Sequence, residues 1–124
     1  MTETVVAMKL PVDESLRIRK NRVMPTHPTG EEKRIAVVTG THGDELEGQF
    51  VCYELLRRLK AEPEGLKGIV DVYPALNPLG IDSITRGIPM FDLDMNRIFP
   101  GNDEGPMMES LVCGLTEDLK GADL

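Results

Sequence analysis

The sequence predicts an α/β fold assembled around a strand–helix–strand unit, and three observations carry that prediction. Residues 34–39 (RIAVVT) form a short β-rich apolar run ending at Gly40; residues 45–60 repeat apolar side chains at helical spacing; residues 68–76 (GIVDVYPAL) form a second apolar run. Two strands joined by a helix pair in parallel through a crossover connection.

The first run lacks polar alternation, which is the pattern of a strand covered on both faces. In the helix that follows, Leu46, Phe50, Val51 or Tyr53, Leu56 and Leu59 supply the apolar stripe. Asp44 is placed to cap it, because a short carboxylate can accept from the free amides of a helix start. Glu45 and Glu47 suit its positive end, and Arg57, Arg58 and Lys60 its negative one. Pro63 and Gly65 end it before the second strand.

Residues 1–33 read as a lead-in, with an edge strand over 4–10, a polar stretch and the breaker-rich run 24–30 (MPTHPTG). Residues 34–124 form the main body. Within it, 77–105 hold many turn residues and no confident element, a length that in a compact domain signals a functional or disordered loop. Its hydrophobes, among them Ile81, Ile88, Met90, Phe91, Leu93 and Phe99, favour an ordered loop pinned to the body. A second helix is expected over 106–120, with Met108, Leu111, Val112, Leu115 and Leu119 facing the sheet and Gly121 as its cap. Residues 122–124 read as the entry to a further strand.

Composition narrows the function. Fourteen basic against twenty-one acidic residues give a net charge of −7, the wrong balance for a phosphate backbone. Arg17, Arg19, Lys20 and Arg22 read as a solvated segment rather than a binding patch. There is no Trp and no apolar run long enough to span a bilayer, so neither an aromatic nucleic-acid platform nor a membrane helix is expected. Cys52 and Cys113 lack metal or redox spacing and read as reduced, partly buried thiols of a cytoplasmic protein.

The chemistry concentrates in residues 40–48 (GTHGDELEG). His42 and Glu45 stand three apart in a glycine-bracketed turn after a strand, and His with Glu is a normal mixed ligand set for catalytic zinc. On spacing alone, metal ligation and an ordinary loop histidine beside a helix-start glutamate are equally good readings. His27, between Pro25 and Pro28, reads as a surface residue. Arg86 and Arg97, with Asn96 beside the latter, could receive a carboxylate or polarise a carbonyl. Internal pairing with Asp92, Asp94 or Asp103 is at least as good a reading. No phosphate loop and no serine-nucleophile elbow occurs, which leaves metal-assisted hydrolysis.

Taken in order, Gly40-Thr-His-Gly-Asp-Glu45, Asn77-Pro-x-Gly80, Arg86 and Asp94-Met-Asn-Arg97-x-Phe-Pro-Gly101 resemble the succinylglutamate desuccinylase and aspartoacylase family of the zinc carboxypeptidase superfamily. The resemblance implies a three-layer α/β/α fold on a mixed, mostly parallel sheet, present here as a truncated N-terminal portion. It implies one zinc ion per complete active site, with His42 and Glu45 as two ligands, Arg86 polarising the scissile carbonyl, and Asn96 and Arg97 receiving a substrate carboxylate. Met95 stands where the family usually has leucine. A third ligand, a histidine in an Asp-x-His at the end of the next strand, and a general-base glutamate are expected beyond Leu124. The implied reaction is hydrolysis of the amide of an N-acyl amino acid or related small carboxylate-bearing substrate, with this portion inactive alone. Two other readings compete: a metallocarboxypeptidase acting on peptide C-termini, and a non-enzymatic α/β binding or assembly module. The cut sheet edge predicts self-association or complementation by another chain.

Overall fold

A computed structural model describes all 124 residues. Four strands form one mixed sheet: β1 (Thr2–Lys9), β2 (Ser15–Val23), β3 (Arg34–Val38) and β4 (Ile69–Tyr73), in the spatial order β1-β2-β4-β3. Parallel pairing is confined to β3 and β4, where Ile35 lies opposite Val70 and Val37 opposite Val72; β1–β2 and β2–β4 are antiparallel. Helix α1 (Glu47–Ala61) links β3 to β4, which realises the expected strand–helix–strand unit.

Alternation along β4 sorts the layers, since successive side chains point to opposite faces. Val70 and Val72 meet Cys52 of α1, with Leu55, Leu56 and Leu59 packed around them. Tyr73 faces the other way and joins Leu16 and Ile18 of β2 against helix α3 (Met107–Leu119), whose Met108, Leu111, Val112 and Leu115 are buried. Helices on both faces give the three-layer α/β/α arrangement.

Several expectations need correction. Residues 15–23 form a second N-terminal strand rather than a polar stretch, and its basic residues divide by strand phase. Arg17 and Arg19 are exposed, but Lys20 is only 4% exposed. Lys20 donates to Asp118, and Arg22 and Arg34 converge on the fully buried Asp71, with Arg34 also donating to the Tyr73 hydroxyl. Burial opposes ionisation of Asp71, but the two guanidinium hydrogen bonds and Lys20 outweigh it and pull its carboxyl down to about 2. A solvated segment was expected because a strand with charge on both faces breaks the hydrophobic alternation that marks strands.

The apolar stripe of α1 is also shifted. Phe50, Val51 and Tyr53 are exposed, while Leu56 and Leu59 pack towards the sheet as expected and Cys52 is the fully buried residue of the helix. Its N-cap is Leu46, with no side-chain cap from Asp44. β3 is an edge strand, so Ile35 and Val38 stay partly exposed instead of being covered on both faces. Beyond α3, Gly121 leaves room for a guanidinium: a Cβ there would lie 2.5 Å from an Arg34 nitrogen. The Ala36 amide donates to the Leu124 carbonyl and the Asp123 amide to the Arg34 carbonyl, so the last residues run along the outer edge of β3 as a strand entry would.

The long segment after β4 is ordered. It opens with helix α2 (Pro78–Ser83), later makes one 3₁₀ turn (Met95–Arg97), and buries Ile88 and Met95 in the α3-side core.

Candidate active site

The candidate residues lie where β3 and β4 end. The parallel pairing continues past both strands: Leu76 donates its amide to the Thr39 carbonyl, and Asn77 to the Gly40 carbonyl. The loop carrying His42 is therefore laid against the start of α2. Two glycines permit that approach. Gly40 has φ +71, and a Cβ there would come within 2.9 Å of Ala75 Cα. At Gly43 a Cβ would stand 2.0 Å from the Gly80 carbonyl carbon. Any side chain at 43 would displace the loop.

His42 is thereby fixed between two carboxylates. Its Nδ1 is 3.3 Å from Glu45 Oε2, and its Nε2 is 2.9 Å from Asp94 Oδ1. Arg86 reaches the same two carboxylates from outside, 3.5 Å from Glu45 Oε1 and 3.6 Å from Asp94 Oδ2. Asp94 also accepts from the Asn96 amide and so caps the 3₁₀ turn. Burial opposes its ionisation, but the bonds from His42 and the Asn96 amide and the charges of His42 and Arg86 hold its carboxyl below the usual range.

The structure thus brings His42, Glu45 and Arg86 together. Asn96 and Arg97 sit on the adjoining turn with exposed side chains, outside this cluster. His27 is exposed and lines a separate cleft with Glu32 and Glu64. In the sequence Asp94 stands out as a possible arginine partner and as the first residue of the Asp94-Met-Asn-Arg97 motif, with no role of its own at the site. The signal that could have found it is chemical: a metal-binding histidine needs a carboxylate or carbonyl on its second nitrogen. Arginine pairing with Asp94 is realised, and it occurs together with the histidine contact rather than instead of it.

The donor set fits a cation. Two ligand atoms about 2.0–2.1 Å from a tetrahedral zinc ion stand about 3.3 Å apart, and His42 Nδ1 and Glu45 Oε2 have that separation. No group of three His, Cys, Asp or Glu side chains is arranged around one point. The cluster is open, with the Glu45 and Arg86 side chains 60% and 55% exposed.

A three-layer α/β/α domain here carries a His–Glu loop at the carboxyl ends of its parallel strands, where open α/β sheets place their ligand sites. The chain belongs to the succinylglutamate desuccinylase/aspartoacylase catalytic domain family, whose model matches residues 31–120. It is 34% identical over 83 residues to an N-alpha-acetyl-L-2,4-diaminobutyric acid deacetylase of Halomonas elongata, a match covering 67% of this chain and 24% of that one. It is 36% identical over 88 residues to the aspartoacylase of Mus musculus, covering 70% and 24%. Among solved structures it superposes on a succinylglutamate desuccinylase/aspartoacylase from Rhodobacter sphaeroides with a TM-score of 0.79 at 32% identity, covering 95% of this chain and 36% of that one. An aspartoacylase family protein from Mesorhizobium loti gives 0.80 at 25%, covering 99% and 38%. The chain spans about a quarter of the length of the curated relatives it matches.

Proposed function

We propose that the chain carries two zinc ligands, His42 and Glu45, of an amide-hydrolysing deacylase acting on an N-acyl amino acid or a related small carboxylate-bearing substrate. One observation carries the reading: a histidine nitrogen and a glutamate oxygen stand at the spacing of shared ligands, with the opposite ring nitrogen on Asp94 and an arginine beside them. Membership of a family whose relatives include deacetylases and aspartoacylases supports it.

Zinc held by His42 and Glu45 would supply Lewis acidity and would lower the pKa of water towards about 7. With His42 Nε2–H donating to Asp94, 2.9 Å away, Nδ1 would be left to offer its lone pair to the ion. Arg86 directs positive charge at a carbonyl oxygen, where a tetrahedral intermediate becomes negative. Asn96 and Arg97 are exposed and available to orient a substrate carboxylate by paired hydrogen bonds. Two ligands are one short of the three protein ligands of a catalytic zinc site, so residues 1–124 alone are expected to bind zinc weakly and not to turn over substrate. We place the protein in the cytoplasm on its two unpaired cysteines; no helix is long and apolar enough to cross a membrane.

Zinc titration by calorimetry tests the assignment. A weak 1:1 isotherm abolished by His42→Ala and by Glu45→Gln is the expected result. Tight binding that survives both substitutions, or that depends on His27, overturns it.

A further inference from the structure

We propose that Asn77 is a positioning residue that sets Arg86 against the His42–Glu45 loop; the proposal rests on the reading of Arg86 as part of the site. Arg86 cannot hold its own place. Its side chain is 55% exposed and its ion pairs are 3.5 and 3.6 Å long, and exposed pairs contribute little. Its position must therefore come from the backbone around it.

That backbone is tied through one buried side chain. Asn77 is 1% exposed. Its Oδ1 accepts from the Gly80 amide at 2.9 Å, which caps α2, while its Nδ2 donates to the carbonyl of Gly87 at 2.9 Å, the residue directly after Arg86. Its own amide donates to the Gly40 carbonyl at 2.7 Å, two residues before His42. One residue is thus bonded to the loop holding the proposed ligands and to the loop holding the arginine.

Two further features serve the same link. A Cβ at Gly80 would fall 2.2 Å from Asn77 Nδ2, so the carboxamide reaches Gly87 only because position 80 has no side chain. One residue beyond Gly87, the Ile88 amide donates to the Leu93 carbonyl at 2.7 Å, which folds Arg86 back beside Asp94. A helix cap alone needs Oδ1 only, and serine or aspartate would serve equally. The donor Nδ2 is what asparagine adds.

Asn77→Ser and Asn77→Asp both retain a capping oxygen and lose the bond to Gly87, and amide hydrogen exchange of the 124-residue chain reads the consequence. In both variants the Thr85 and Ile88 amides exchange faster by about three- to tenfold, the effect of one lost hydrogen bond. The Gly80 amide and the β2–β4 ladder keep their rates, and the Arg86 Nε–H resonance moves towards that of free arginine. Arg86→Ala leaves Thr85 and Ile88 at wild-type rates. Unchanged Thr85 and Ile88 rates in both Asn77 variants, or equal opening in Arg86→Ala, overturns the proposal. In the wild-type chain one Asn77 carboxamide proton exchanges slowly; two fast ones overturn it without any variant having to fold. None of these readouts requires zinc, so failure of the metal assignment and failure of this link are separately visible.

Discussion

Gly43 shows how tightly single residues constrain the site. With Gly80 against its backbone, Gly43→Ala must push the His42 loop off α2. Overpacking of this kind costs about 1–3 kcal/mol. Urea denaturation of the variant is expected to show that loss together with loss of the weak zinc isotherm; an unchanged midpoint would mean the loop has slack that the close approach denies. At this scale the sequence was legible where chemistry is local. His42 and Glu45 are separated by one turn of loop, and their contact follows from spacing. Asp94 lies 52 residues from His42, and although both fall in the ordered motifs, no spacing predicts that they touch. Only the folding of the segment after β4 brings that carboxylate to the second ring nitrogen.

Among elements, the strand–helix–strand unit was legible because its period is regular, whereas the inward face of α1 was not. Phe50 and Tyr53 carry far larger apolar bodies than Cys52, so they attract the stripe assignment; the direction of the helix over β4 decides otherwise. The two helices should therefore respond differently. Leu115→Ala, at a fully buried site in α3, is expected to cost about 3 kcal/mol, and Phe50→Ser to stay within about 0.5 kcal/mol. Denaturant midpoints check both; a large loss in Phe50→Ser would place that ring in the core. The exposed Phe50 and Tyr53 and the short stretch of the outer β3 edge past Ala36, which residues 123–124 do not pair, together also predict self-association, since an unpaired strand edge is a template for another chain. Light scattering should show a mass that rises with concentration and falls back towards the monomer in Val38→Lys. A monomer at every concentration would rule this out.

At the scale of the whole molecule, the sheet is tied to the α3 layer by a polar assembly that no periodicity announces: Lys20 and Arg22 from β2, Arg34 from β3, Asp71 and Tyr73 from β4, and Asp118 from α3. Its members are scattered over about a hundred residues of sequence, and a charged run such as 17–22 looks solvated until the sheet is built. The assembly sets the acid limit of the fold. Asp71 titrates near 2 in the folded chain against 3.8 as its ordinary value; a carboxyl lowered by folding adds stability above its unfolded value and loses it as pH falls through the folded one. The contribution of Asp71 at neutral pH is about 2 kcal/mol. Asp118, lowered by Lys20 and Tyr73 against the opposing effect of burial, acts in the same direction. Urea midpoints are therefore expected to hold steady from neutrality to about pH 5 and to fall from about pH 4 to pH 2. Asp71→Asn should flatten that fall while costing about 3 kcal/mol at pH 7, because Arg22 and Arg34 keep their charge without their anion. A wild-type midpoint that stays level down to pH 2 would show that the sheet and α3 are joined by packing alone, and an Asp71→Asn chain as acid-sensitive as the wild type would remove Asp71 from the account.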